Sequence, residues 1–439
     1  MTRKLFGTDG VRGLAGEFLS AELALALARA ATEQTGAERP QVLIVRDTRE
    51  SGEMLQAAVA AGVSAAGGDA LLGGVLPTPA APLLIGRYGF DLAVVLSASH
   101  NPFQDNGIKF FAADGYKLSD DTERAIEQRL ERDGVVGGGS IGRVRNLRGA
   151  PEDYLRELHT RFADLDLGGV DVLVDCANGA TFHVAPEIFR RLGAKVSVIA
   201  DEPDGRNINA GCGSTHVEAL AERVVAGGHA LGFAFDGDGD RVLAVDRLGQ
   251  VVDGDELLAL AALHLRRSGR LNGDGVVVTV MTNYGFHSAM EQAGIAVAIT
   301  GVGDRYVLEG LRARDWALGG EQSGHIIEMG FNRTGDGIAS ALLTLEALAG
   351  DDLAERGAMA KLPQRLVNVR VRDRDALHDA EDVKQAIGDA ERELQGRGRV
   401  LVRPSGTEPL VRVMVEAPSD EEAQNVCDRL VALVQARLG

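Results

Sequence analysis

Short apolar runs, each closed by a polar or glycine-rich turn, recur along the chain. Val42–Val45 and Leu92–Leu96 read as strands, because four or five consecutive apolar residues bounded by turn residues suit a buried strand, and Ile108-Lys109-Phe110-Phe111 reads as a returning strand. Leu23, Leu27 and Ala30 recur at helical spacing and predict a helix over Ala21–Thr35. A second helix is expected near Gly52–Gly67. A proline-rich turn at Pro77-Thr78-Pro79 then leads to the Leu92–Leu96 strand. Such strand–helix–strand alternation gives a mostly parallel sheet.

The alternation restarts twice. Val170–Asp175, Val196–Ile199 and Leu231–Phe235 are the strands of a second unit, with a helix over Thr181–Leu192. A third unit has helices over Glu256–Arg267 and Phe286–Ala293 and strands at Val276–Val280 and Ala296–Ile299. The last stretch alternates strands at Leu366–Val371, Val400–Val402 and Leu410–Val415 with helices near 380–394 and 420–438. The expected fold class is therefore α/β: three similar α/β domains with parallel or mixed sheets, then a smaller C-terminal α+β domain. The expected boundaries are 1–150, 151–252, 253–365 and 366–439. Gly137-Gly138-Gly139-Ser140 reads as a linker or loop.

Charge and composition narrow the function. The net charge is −18 and no Lys/Arg-rich run exists, which excludes a general nucleic-acid binder. An acidic chain that binds an anion must gather cations, backbone N–H groups or a metal in one cleft. No apolar run reaches the roughly 18 residues of a membrane span, and the residues from Met1 to Gly7 hold no signal-peptide stretch. Three cysteines, Cys176, Cys212 and Cys427, with no C-x-x-C, point to a reducing, cytoplasmic setting without a zinc site or a disulfide framework.

Four loops carry candidate chemistry. Leu96-Ser97-Ala98-Ser99-His100-Asn101-Pro102 places a hydroxyl, Ser99, at the carboxyl end of a strand, where α/β sheets bind ligands; alone it reads equally as a Ser/Asn turn. Asp236, Asp238 and Asp240 alternate along Asp236-Gly237-Asp238-Gly239-Asp240-Arg241, so an extended backbone would point all three carboxylates one way. They repel unless a cation sits among them, and oxygen-only ligands suit Mg²⁺, Mn²⁺ or Ca²⁺. An EF-hand is excluded, since Arg241 and Arg247 occupy its glycine and glutamate positions. Glu321, Ser323 and His325 share a spacing of two. A carboxylate and a hydroxyl grip sugar hydroxyls and His325 shuttles a proton, unless the stretch is the solvent face of a strand. Arg403-Pro404-Ser405-Gly406-Thr407 offers an anion nest with a guanidinium, and Arg412 follows. A serine nucleophile, a carboxylate-bound metal and a remote phosphate nest are the parts of phosphoryl transfer. Lys109 and Arg12 supply further cations.

With these motifs in this order, the full length of the chain resembles the α-D-phosphohexomutases. Phe6-Gly7-Thr8-Asp9-Gly10-Val11-Arg12-Gly13, Gln322, Asn207-Ile208-Asn209 and Cys212-Gly213-Ser214-Thr215-His216 suggest the branch acting on glucosamine phosphates. The resemblance implies four domains around one central cleft and interconversion of glucosamine 6-phosphate and glucosamine 1-phosphate, towards UDP-N-acetylglucosamine. It implies that Ser99 is the phosphoserine, with Lys109, His325 and Arg12 as catalytic partners. One Mg²⁺ per subunit would be held by Ser99, Asp236, Asp238 and Asp240. Arg241, Asp304, Glu321, Ser323, Arg403, Ser405, Gly406, Thr407 and Arg412 would bind substrate. It further implies glucosamine 1,6-bisphosphate or a similar activator, a homodimer, and a phosphosugar as the partner, with no nucleic acid and no membrane. The rival readings are a mutase of glucose and mannose phosphates, a haloacid-dehalogenase-like phosphatase using Asp236, and a non-catalytic sugar-phosphate binder.

Overall fold

The computed structural model describes residues 5–131, 140–404 and 409–439. Gly137–Gly139 of the expected linker and Ser405, Gly406 and Thr407 of the expected phosphate loop lie outside them. The chain forms two compact units: Met1–Met281 with Ala296–Arg356, and Thr282–Ile295 with Gly357–Gly439.

The first unit holds three sheets. One runs, in spatial order, Val11–Leu14, Asp105–Ala112, Leu92–Leu96, Gln41–Arg46, Asp69–Val75, Val144–Asn146. Gln41–Arg46 is parallel to both its neighbours, whereas Asp105–Ala112 is antiparallel to both of its own. Three of its five pairings are parallel and two antiparallel, so the sheet is mixed; residues 97–104 are too few for the crossover that a parallel return needs. The glycine-rich opening is also not all loop. Val11–Leu14 is an edge strand that sets Arg12 opposite Gly107.

The second sheet runs Val251–Val252, Val242–Asp246, Leu231–Phe235, Asp171–Asp175, Lys195–Ile199, and the third Ala296–Thr300, Gly275–Thr279, Leu318–Gly320, Ile326–Glu328. Leu92–Leu96, Leu231–Phe235 and Gly275–Thr279 are buried at every position. Layers on both faces explain why such strands are uniformly apolar. Ser99, Asp236 and Glu321 each follow the carboxyl end of a strand that has a parallel neighbour, which is where open α/β sheets present ligand-binding loops.

Several helices were not expected from the sequence, including Ala80–Tyr88, Asp120–Leu130, Ala150–Arg161 and Glu218–Gly227. Asp304–Arg314 begins inside what reads as the Gly301–Arg305 loop. The helix expected over Thr181–Leu192 starts only at Val184. The residues before it serve the neighbouring loop instead: the Ala180 N–H donates to the Gly237 carbonyl at 2.8 Å.

The second unit is an antiparallel sheet ordered Gln364–Arg370, Leu410–Glu416, Arg399–Pro404, covered by Glu381–Leu394 and Asp420–Leu438. It also takes the helix Tyr284–Gln292, which by sequence lies between strands of the third sheet. Buried Glu416 caps that helix, accepting the Tyr284 N–H at 2.9 Å. Asn283 exchanges two hydrogen bonds of 3.0 Å with the Leu362 backbone.

Candidate active site

Ser99 is 1% exposed and holds a left-handed backbone, φ 52°, a conformation that costs a non-glycine residue about 1–3 kcal/mol. Its Oγ donates to Asp236 Oδ2 at 2.5 Å and lies 3.3 Å from His100 Nδ1. The metal loop approaches this closely because position 237 is glycine. A Cβ there would lie 2.6 Å from the Ser99 carbonyl oxygen.

Asp236, Asp238 and Asp240 converge, with one oxygen of each within 4.8 Å of the others. Their backbone is a turn, not the extended strand that alternation suggests. The Gly239 N–H donates to the Asp236 carbonyl at 3.1 Å, and Gly239 sits at φ 70°, where glycine carries no Cβ penalty. Asp238 Oδ1 and Asp240 Oδ1 are buried without a hydrogen-bond partner. Such orphaned anionic oxygens are costly, and an all-oxygen set of three carboxylates fits a hard divalent cation. Burial, then Asp240 and Asp238, push Asp236 well above the ordinary carboxylate range, as expected of crowded acids.

Cations close the cluster from the first sheet. Lys109, 1% exposed, places Nζ 2.8 Å from Asp238 Oδ2, 3.0 Å from Asp9 Oδ2 and 3.9 Å from Asp240 Oδ2. Burial opposes its charge, but Asp238, Asp9 and Asp240 outweigh it and raise its pKa. Asp9 also pairs with Arg12 and Lys117, and Lys117 pairs with Asp304. Thr78 Oγ donates to Asp238 at 2.6 Å. Arg241 approaches Asp240 at 3.8 Å and donates its backbone N–H to Asp236 Oδ1 at 3.2 Å.

Glu321, Ser323 and His325 lie on the turn joining Leu318–Gly320 to Ile326–Glu328, not on a strand. They line a cavity of about 370 Å³ with Asp9, Arg12, Arg241 and Asp304, among others. Ser323 Oγ is buried there without a partner. Glu321 accepts the Gly303 N–H at 2.9 Å. His325 Nδ1 faces Asp240 Oδ2 at 3.6 Å, while Nε2 accepts the Gly335 N–H at 3.0 Å. Burial lowers the His325 pKa, but Asp240 outweighs it and raises the value. The Gly335 N–H fixes the Nδ1–H tautomer and opposes a second proton at Nε2. In the second unit, Arg403 and Arg412 are direct cross-strand neighbours. Burial and then Arg412 lower the Arg403 pKa. Like charges opposed across strands are destabilising.

The structure thus gathers Ser99, Lys109, Arg12, the three aspartates, Arg241, Asp304, Glu321, Ser323 and His325 within the first unit. Sequence reasoning missed Asp9, Thr78, Lys117 and the 332–337 segment behind His325. Asp9 stands inside the Gly7–Gly13 motif, which is a usable signal. The others have none in local pattern.

The family described as phosphoglucomutase/phosphomannomutase matches the chain in four pieces: alpha/beta/alpha domain I over residues 3–135, domain II over 152–249, domain III over 253–366 and the C-terminal domain over 366–433. The phosphoglucosamine mutase of Moorella thermoacetica is 51% identical over 432 residues, covering 96% of this chain and 97% of that protein. That of Mycolicibacterium paratuberculosis is 51% identical over 442 residues, covering 99% of each. Among solved structures, a phosphoglucomutase/phosphomannomutase family protein from Burkholderia thailandensis superposes with a TM-score of 0.80 at 23% identity, over 100% of this chain and 99% of its own. The Aspergillus fumigatus N-acetylphosphoglucosamine mutase superposes with a TM-score of 0.68 at 18% identity, over 99% of this chain and 96% of its own. Four family domains in order, and half the residues identical over nearly the whole length, show that the chain belongs to the phosphoglucomutase/phosphomannomutase family.

Proposed function

We propose that the protein interconverts glucosamine 6-phosphate and glucosamine 1-phosphate through a phosphoserine at Ser99. The observation that carries the reading is the Ser99 Oγ–Asp236 contact of 2.5 Å, made beside a three-carboxylate cluster and a buried lysine. Phospho-Ser99 passes its phosphoryl group to the free hydroxyl of the sugar phosphate, giving glucosamine 1,6-bisphosphate. The bisphosphate turns over, and Ser99 takes the other phosphate back.

The residues divide this work. Asp236, Asp238 and Asp240, with Ser99, would hold one Mg²⁺, which when bound offsets charge on the phosphoryl group. Lys109 and Arg12 place fixed positive charge at the aspartate cluster that Ser99 faces, where it would stabilise the transferring group without reorganisation. Glu321 and Ser323 grip sugar hydroxyls, with Arg241 and Asp304 lining the same cavity. The Gly335 N–H donated to Nε2 leaves the His325 proton on Nδ1, facing Asp240. Arg403 and Arg412 would bind the substrate phosphate that is not reacting, as the resemblance implies. A sugar 1,6-bisphosphate primes Ser99. The reading includes a cytoplasmic setting, with which three free and buried thiols are consistent, and a homodimer, which the resemblance alone implies.

The test is a coupled assay primed with glucose 1,6-bisphosphate, comparing glucosamine 6-phosphate with glucose and mannose 6-phosphates. The expected result is the highest kcat/KM on the amino sugar. A preference for glucose or mannose phosphate would replace the glucosamine assignment with the sibling mutase activity.

A further inference from the structure

The serine loop is gripped from behind by a side chain that no step above uses. Arg49 is fully buried, and all five of its guanidinium N–H groups have a place to go. Nε donates to Asp47 Oδ2 at 2.8 Å. One terminal nitrogen donates to the Ser99 and Asn101 carbonyls at 2.9 and 2.8 Å, the other to the Asp105 carbonyl at 2.9 Å and to the Pro102 carbonyl. Asp47 in turn accepts the Ser97 hydroxyl at 2.6 Å, and Ser97 Oγ accepts the Ser99 N–H at 2.9 Å. Asn209, from the second sheet's domain, donates Nδ2 to the same Ser99 and Asn101 carbonyls at 2.9 and 3.2 Å.

Seven of these nine bonds fall on the backbone of residues 99–105, which begins with Ser99 in a left-handed conformation. Asn209 is itself left-handed, as are Ala177 and Asn178 behind it, and the Asn209 N–H donates to the Ala177 carbonyl at 2.9 Å. A strained conformation persists only where its surroundings over-determine it. Two side chains from two domains, converging on one carbonyl, supply that constraint. Neither reaches into the substrate cavity.

We propose that Arg49 and Asn209 are positioning residues, which fix the Ser99 backbone so that its Oγ meets the metal-loop carboxylate at one angle. The proposal rests on Ser99 being the phosphoryl carrier. A guanidinium is required because its planar fork serves four carbonyls and one carboxylate together, whereas a lysine ammonium is a single point of charge.

The experiment measures kcat and KM for glucosamine 6-phosphate, with thermal midpoints, in Arg49→Lys, Asn209→Ala and Asn209→Asp. Small misplacements of a reacting group cost up to about 10²-fold in rate. Arg49→Lys should lose about 10²-fold in kcat, and each Asn209 variant about tenfold, with KM within about twofold of the parent. A structural role alone would lower the thermal midpoint and leave kcat per folded enzyme unchanged. Arg206→Ala cuts the Arg206–Glu50 pair of 2.7 Å across the same seam and should leave kcat as it was. If Arg49→Lys does not fold, the Asn209 pair decides. Folded variants with parental kcat, alongside an inactive Ser99→Ala, overturn the positioning role alone. Full activity in Ser99→Ala overturns the serine reading and this proposal with it.

Discussion

Replacing Lys109 by methionine tests the electrostatic core of the site. The substitution keeps an unbranched side chain of similar length and removes only the charge. In the parent, Nζ lies 2.8, 3.0 and 3.9 Å from Asp238, Asp9 and Asp240, and the lysine is 1% exposed. At an effective dielectric constant of about 20, the closest contact alone is worth roughly 6 kcal/mol before desolvation. Desolvation of both partners absorbs much of that, and removing one member of a buried pair typically costs about 3–5 kcal/mol. At about 2–4 °C per kcal/mol for domains of this size, the affected transition should fall by roughly 6–20 °C. Turnover should fall by at least about 10²-fold, as when one preorganised charge is taken from a transition state.

The pH dependence follows from the shifts. The Lys109 pKa is raised from its ordinary 10.5, so its contribution is fully present below that value and fades as pH rises through the higher folded value. Burial acts to raise Asp9, but Lys109, Lys117 and Arg12 hold it well below its ordinary 3.8. Its contribution is present above that value and is lost as pH falls through the lowered one. The gap between parent and Lys109→Met should thus be flat from about pH 5 to 9 and shrink below about pH 4. Added Mg²⁺ should stabilise the variant more than the parent, since it restores positive charge among the aspartates. Scanning fluorimetry across pH and MgCl₂, with the coupled assay, reads all of this. A midpoint within about 2 °C of the parent and unchanged turnover would show that Lys109 is not what balances these carboxylates.

Three further outcomes are expected. Rigorous chelation should abolish turnover and Mg²⁺ should restore it, while Asp238→Asn weakens Mg²⁺ binding by calorimetry because a neutral amide replaces one of three charges; undiminished turnover after chelation refutes this. Arg403→Ala should lower kcat/KM by about 10²-fold through loss of a charge-assisted contact of about 3 kcal/mol to the non-reacting phosphate. Unchanged kinetics would move the phosphate site elsewhere. Gly335→Ala would bring a Cβ to 2.6 Å from the His325 ring, so the ring must shift off Asp240; activity should fall and the midpoint drop by a few degrees, and parental values in both would remove His325 from the mechanism.

The sequence by itself determined the buried central strands and marked the polar loops at their ends as candidates. Leu92–Leu96 and Leu231–Phe235 are buried at every position, and a fully buried strand must be a continuous apolar run, which needs no partner to be recognised. The turn that follows each of these two strands declares its polar residues as plainly, so Ser99 and the three aspartates stood out as candidates from their order along the chain, whereas the short strands flanking Glu321 did not stand out. Tertiary structure alone decided what those residues meet. Ser99 and Asp236 stand 137 positions apart, and Lys109 and Asp238 stand 129 apart. Local periodicity carries no information about contacts at that range, which depend on how separate sheets pack. The same reason hid Arg49, whose burial comes from folding against a loop some 50 residues onward. It also hid the allegiance, though not the existence, of the helix Tyr284–Gln292, which joins the C-terminal unit through a cap supplied by Glu416. The turn at Asp236–Asp240 was misread as extended for a related reason. Alternation of polar residues is common to a strand face and to a glycine-relieved turn, and only the Gly239 backbone at φ 70° distinguishes them.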